Sequence, residues 1–372
     1  MEKKFLISSM LYCFLLLPLL SKAQQLPIGA AAPDFTLPAT DGKNYSLSSF
    51  SDAKVLAVVF TCNHCPTAQA YEDRIKQLTS DYAGKGVKLV AIMPNNAEGL
   101  RYDELGYTDL GDSFDDMKQR AKDKQFNFPY LYDGDSEIVS RAYGPVATPH
   151  IFIFDKDRKL RYQGRIDDME NPAKKPGSKD AQNAIEALLH QREVPVATTK
   201  VFGCSVKWKD KSGSVEKATQ AWAKEPVTLD TVLVGGIKEL LKNTSANLRL
   251  INIWATWCVP CVAEFPEFII LAKTFSERDF EFVSVSADEP EKKDKVLQFL
   301  QKKHSSGKNY LFTGKDKYEL IEAVDPKWQG ALPYTILVEP GGKIVYAQQG
   351  EIDPVALRKL IFHNRMIGPM YK

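Results

Sequence analysis

Two Cys-x-x-Cys pairs, Cys62/Cys65 and Cys258/Cys261, divide the 372-residue chain, and each stands at the same kind of junction. Val55 to Phe60 is a short Val-rich apolar run, read as a buried strand, that leads into Thr61-Cys62. From Thr67 onward, Ala68, Tyr71, Ile75, Leu78 and Tyr82 recur at helical spacing. The second copy runs from Leu248 to Ala255, again a buried strand, into Trp257-Cys258-Val259-Pro260-Cys261. A helix is expected after it through Phe265, Phe268, Ile269, Leu271, Ala272 and Phe275. A dithiol set twice between strand and helix points to an internal duplication. A disulfide-stapled scaffold would instead scatter its cysteines through a small, loop-rich chain.

Beyond each junction strands and helices alternate, the pattern of a sheet covered by helices. In the first half, strands are expected over Val87 to Ile92, Phe128 to Tyr132, Thr148 to Phe154 and Leu160 to Gly164, and a helix over Ser113 to Gln125. The second half ends alike. Leu332-Pro333 opens an apolar strand to Val338, Pro340-Gly341-Gly342 turns the chain, and Ile344-Val345-Tyr346 returns. Closing helices are read over Asp180 to His190 and Pro354 to Asn364. Glu193 to Pro226, with scattered Pro, Gly, Lys and Ser, suits a connector. The expected division is a leader over 1–23, a first domain over 24–207, a linker over 208–225 and a second domain over 226–372.

The leader reading rests on Lys3 and Lys4, the apolar run Phe5 to Leu20 and the small-residue exit Ser21-Lys22-Ala23, the pattern of a cleaved export signal. That run is shorter than the roughly 20 residues of a membrane span. Cys13 lies inside it, without the small neighbours of a lipidation site. A soluble protein, periplasmic or otherwise exported and without stable membrane insertion, is expected. The formal net charge is +2, and Lys3, Lys4, Lys22 and Glu2 of the leader account for it. The neutral remainder leaves no electrostatic footprint for nucleic acid or an anionic membrane. A charged fraction of 26% beside a hydrophobic fraction of 44% excludes a disordered chain.

Strand, Cys-x-x-Cys at a helix start, and a distant strand opening on an x-Pro step resemble the thioredoxin superfamily over nearly all of the chain past the leader. The second half is similar to the TlpA/ResA-like thiol-disulfide oxidoreductases, through Trp254-Ala255-Thr256-Trp257-Cys258-Val259-Pro260-Cys261 and Glu264-Phe265-Pro266. The first half resembles the broader redoxin and peroxiredoxin-like (AhpC/TSA-like) group, through Ala32-Pro33-Asp34-Phe35-Thr36-Leu37. The resemblance implies an α/β chain of two tandem thioredoxin-like folds, each a central mixed β-sheet flanked by helices. It implies a thiol-disulfide oxidoreductase acting on protein thiols and disulfides, supplied by an upstream electron donor. It also implies that Pro149 and Pro333 are cis and face their dithiols, with Thr148 and Leu332 offering backbone groups to an extended substrate strand. Glu264, on the same side of its helix as Cys261, is implied to line the site and handle protons; a surface glutamate supporting the helix is the alternative. Asn252 stands where thioredoxin has a buried Asp. Leu56 holds the matching place in the first half, which is therefore expected to lack an acid.

The chemistry agrees with the resemblance. A thiolate attacks a disulfide, and a cysteine at a helix N-terminus meets unpaired N–H groups and the positive end of the dipole. Cys62 and Cys258 are expected as nucleophiles, and Cys65 and Cys261 as resolving thiols. Pro260 precedes the resolving cysteine as in thioredoxin-like reductants. His64 takes that slot in the first pair, where an imidazolium would favour the thiolate and make the disulfide more oxidising. A solvated His64 of little effect is the alternative. Four thiolates could bind zinc, but each pair has its own strand and helix, and export suits disulfides. No metal or cofactor is expected.

Two other functions remain open. Peroxide reduction in the first domain, an antioxidant role, fits the long segment Pro94 to Phe128, although Thr61 directly precedes Cys62 and no proline lies upstream on that strand. A non-catalytic binding module would usually have lost a cysteine from a pair, and neither domain has. Cys204 is left over. It reads as a small buried hydrophobe, with a relay thiol or a partner on another molecule as alternatives.

Overall fold

The computed structural model describes residues 25–171 and 174–371. The leader read over 1–23 lies outside the described residues. Val55–Phe60 is buried along its whole length, as an apolar run without polar alternation must be when both faces of its sheet are covered. It pairs in parallel with Val87–Met93 and antiparallel with His150–Phe154. The sheet order is Tyr130–Tyr132, Val87–Met93, Val55–Phe60, His150–Phe154, Leu160–Gly164. In the second sheet Leu248–Trp254 lies between Phe280–Ser286, parallel, and Tyr334–Glu339, antiparallel. Lys308–Phe312 and Asp230–Val232 extend the parallel side, and Lys343–Gln349 closes the antiparallel side. Both units are mixed sheets flanked by helices: two tandem thioredoxin-like folds.

Each sheet separates two apolar cores. Cys62 and Cys65 belong to one core of the first sheet, and Cys258 and Cys261 to one core of the second. The two pairs therefore lie in separate cores. Helix ends follow local chemistry. Ser113 caps Phe114–Asp123 by accepting from the Asp116 N–H, and Pro66 occupies the first position of Pro66–Asp81, where an absent N–H costs no hydrogen bond.

Two segments differ from the sequence reading. The strand expected over Thr148 to Phe154 is divided at Pro149, which has no N–H to continue a ladder. His150–Phe154 joins the main sheet, whereas Ala147–Thr148 pairs separately with Cys204–Ser205. The stretch read as a connector holds a helix, Ser212–Ala223, with no buried residue. Its Trp222 stacks on Tyr102 at 5.9 Å and lies beneath the Lys273 ammonium at 5.6 Å. The segment Pro94 to Phe128 also meets the second domain: Arg278 donates to the Gly106 carbonyl at 2.5 Å and covers the Tyr107 ring. Among the described residues no helix is long and apolar enough to cross a membrane.

Candidate active sites

In the first domain the helix begins at Pro66, after both cysteines. A residue ahead of proline avoids helical backbone angles. Cys65, preceding Pro66, stays extended at φ −72° and ψ 122° and becomes the N-cap. Cys65, not Cys62, therefore stands at the helix N-terminus. Both are free thiols with 0% and 2% exposure. Burial opposes ionisation of Cys65, but hydrogen bonds from Cys204 and Cys62, the His64 charge and the Ala68 N–H outweigh it and hold its pKa well below the ordinary thiol value. Burial, the hydrogen bond to Cys65 and the Asp112 charge push Cys62 well up. In this conformation the lower pKa of the pair falls to Cys65, whereas the sequence reading names Cys62 as the nucleophile.

His64 is buried and not solvated. Its Nδ1 lies 2.6 Å from Asp112 Oδ2. Burial alone would lower its pKa, but the Asp112 charge and hydrogen bond prevail and raise it. Asp112 also accepts from the backbone N–H groups of Asn63 and His64 and from Asn95 Nδ2. The first domain thus has an acid after all, delivered by the long inserted segment instead of the strand position held by Leu56. Sequence reading missed Asp112 because nothing local marks one aspartate in a loop as buried. By residue type Cys62, His64 and Asp112 could ligate a metal, their donor atoms lying within 4.8 Å. Asp112, however, already has four donors from the protein.

Thr148-Pro149 is cis. The Thr148 hydroxyl is 3.0 Å from Cys62 Sγ, and its carbonyl oxygen is 3.3 Å from Cys65 Sγ. The backbone of Thr148 is already paired, in register with Cys204 of the chain itself. The Cys204 N–H donates to Cys65 Sγ at 3.2 Å. Cys204 is half-buried, packs against the core that holds the dithiol and also meets the Cys65 sulfur. The spacing of Cys204 from the pairs carried no sign of this contact.

The second site is built at the start of the helix Val259–Thr274. Cys258 caps Val259–Thr274, accepts from the Cys261 N–H at 3.3 Å and is disulfide-bonded to Cys261. Pro260 sits in the first helical turn, where its missing N–H costs nothing. Leu332-Pro333 is cis. Among the described residues, no backbone group hydrogen-bonds to that of Leu332. Trp257 and Val259, beside the disulfide, are 65% and 79% exposed. Glu264 is only 8% exposed, so it is not a surface glutamate. Its Oε2 accepts from the Ile352 N–H at 2.9 Å, and its Oε1 has no partner among the described residues. Burial, opposed by that N–H and reinforced by the Glu351 charge, pushes its pKa up to about 7. Asn252, buried on the neighbouring strand, donates to Thr335 Oγ1 at 3.1 Å.

Residues 28–163 match the AhpC/TSA family and residues 227–359 match Redoxin. The chain is 29% identical over 140 residues to the thiol-disulfide oxidoreductase ResA of Bacillus cereus, covering 38% of this chain and 70% of that protein. It is 24% identical over 154 residues to a Mycobacterium tuberculosis protein whose name places it among the peroxiredoxins, covering 37% of this chain and 98% of the other. Among solved structures, an uncharacterized conserved protein from Geobacillus kaustophilus shares 37% identity with a TM-score of 0.44, covering 49% of this chain and 93% of that one.

Proposed function

We infer, for a chain that joins an AhpC/TSA-family domain to a Redoxin-family domain and stands among the thiol-disulfide oxidoreductases, that both dithiols are redox centres exchanging disulfides with client proteins. Cys258 and Cys261 would serve clients docked beside Leu332-Pro333, between the exposed Trp257 and Val259. Glu264 would pass protons to and from this pair. The first pair is the more oxidising of the two. The observation that supports this is the position of Cys65 at a helix N-terminus beside the His64–Asp112 pair, where its pKa is held low, because whatever stabilises the thiolate stabilises the reduced form. The leader-like start supports an extracytoplasmic place of action, with electrons arriving from a donor outside this chain.

The test is the reduction potential of each dithiol, measured in glutathione buffers on chains lacking the other pair (Cys62→Ser/Cys65→Ser and Cys258→Ser/Cys261→Ser). Both are expected to titrate as two-electron couples, the first pair higher by at least about 30 mV, a tenfold change in equilibrium constant. A first pair that is equal or lower would refute the ordering, and pairs that never reduce would mark structural disulfides. A second reading, peroxide reduction at Cys65, is favoured by the same buried thiolate. Hydrogen peroxide consumption that vanishes in Cys65→Ser would support it.

A further inference from the structure

The first dithiol is closed to an incoming strand by the chain itself. Cys204–Ser205 pairs antiparallel with Ala147–Thr148, Thr148 facing Cys204. This is the backbone edge that the site would offer to a client. The approach is close, for a Cβ added at Gly203 would stand 2.1 Å from the Thr148 carbonyl oxygen. The strand is tethered on both sides. Upstream, the Thr199 N–H bonds to the Gln163 carbonyl at 3.1 Å; downstream, Lys207 N–H donates to Asn95 Oδ1 at 2.9 Å and the Asn96 N–H to the Lys207 carbonyl at 2.8 Å. The Cys204 N–H is thereby held 3.2 Å from the Cys65 sulfur. That sulfur, and then burial, push the pKa of the Cys204 thiol up. Once Cys65 is part of a disulfide, its hold on the Cys204 proton is gone.

We propose that Cys204 is a third redox-active thiol of the first domain, which exchanges with the Cys62–Cys65 disulfide to form a Cys65–Cys204 disulfide. The inference rests on the dithiol reading of the first site. The Cys204 thiol gives up its proton, and its sulfur bonds to Cys65 Sγ. The Cys62–Cys65 bond breaks, and Cys62 leaves as a thiolate that takes up a proton. One disulfide is exchanged for another, so no external oxidant or reductant enters. The step moves the reactive disulfide from two buried sulfurs to one that includes the half-buried Cys204, whose neighbours Gly203 and Ser205 are exposed. The groove that closes the dithiol to a client thus also holds its outlet to one.

The full-length chain carrying Cys62→Ser leaves Cys65 and Cys204 facing each other. After oxidation with diamide, alkylation of free thiols and non-reducing digestion, the linked Cys65–Cys204 peptide is expected to account for most of Cys65. The link should be absent when Cys204→Ala is added, a change that keeps the backbone N–H and the strand pairing. Wild-type chain poised in glutathione buffer and quenched by alkylation should show the same linked peptide beside the Cys62–Cys65 form. In the Cys62→Ser chain, Cys65 recovered only as a free or glutathione-bound thiol, with Cys204 fully alkylated there and in the wild type, would overturn the proposal. Reversible formation of Cys62–Cys65 in the wild-type sample would leave the dithiol reading standing. A wild-type chain that forms no Cys62–Cys65 disulfide would remove both.

Discussion

At the residue scale the two sites place different titratable groups beside their dithiols. The second has Glu264, a carboxyl pushed up to about 7 by burial, with one oxygen on the Ile352 N–H and the other without a partner among the described residues. The first has His64 paired with Asp112, and the His64 charge lowers the pKa of Cys65. The raised pKa of Glu264 makes a directional claim about stability. The folded chain holds this proton more tightly than the unfolded chain does. Its stabilising contribution is therefore complete below the ordinary value of 4.5 and is lost as pH rises through about 7. Glu264→Gln, which stays neutral, should lose that part of the pH dependence, so thermal unfolding of the two chains should diverge on the alkaline side. The rate at which the Cys258–Cys261 pair is reduced should likewise lose an inflection near pH 7. Superimposable profiles for the two chains would mean that the carboxyl does not titrate there.

At the scale of elements, the short ribbon of Ala147–Thr148 with Cys204–Ser205 decides who reaches the first dithiol. Gly203 allows it, with φ at +126° and no room for a side chain against the Thr148 carbonyl. Gly203→Ala combines a disfavoured backbone angle with a clash against main chain, a cost of about 1–3 kcal/mol. The ribbon should separate while the five-stranded sheet, which does not include Gly203, stays intact. Alkylation of Cys62 and Cys65 in the native chain should then accelerate with far-ultraviolet circular dichroism unchanged. Thiols as slow as those of the wild type would show that something other than this ribbon protects them. The helix start illustrates the same scale. A proline directly after Cys65 is visible in the sequence, and by its effect on the preceding residue it moves the N-cap from the first cysteine of the pair to the second.

At the scale of the molecule, the inserted segment that brings Asp112 to the first site is braced from the second domain. Arg278 reaches the Gly106, Ile367 and Gly368 carbonyls, and Arg358 lies 3.3 Å and 3.4 Å from those of Leu105 and Thr108. Gly106 packs so closely on the Thr274 carbonyl that an added Cβ would fall 2.3 Å from it. Removing the guanidinium in Arg278→Ala strands three carbonyl acceptors and should cost about 1–3 kcal/mol. Amide exchange over residues 103–110 should quicken by more than tenfold, with the strand Leu248–Trp254 unaffected. Unchanged exchange in 103–110 would show that the segment stands without this brace.

Local pattern sufficed for much of this chain. Val55–Phe60 and Leu248 onward are apolar enough to be legible as central strands, the helices after each dithiol follow from their spacing, and the x-Pro steps at Thr148 and Leu332 stand out in the text of the sequence. Those features are short-range, since burial of a continuous apolar run and the missing N–H of proline act within a few residues. The unlike characters of the two sites were not legible. Asp112 meets His64 across 48 positions and Cys204 meets Cys65 across 139. Neither neighbour is implied by periodicity or spacing. Which cysteine ionises, whether Glu264 keeps its proton and whether the client groove is empty depend on desolvation and on charges from distant segments, and only the tertiary structure brings those together.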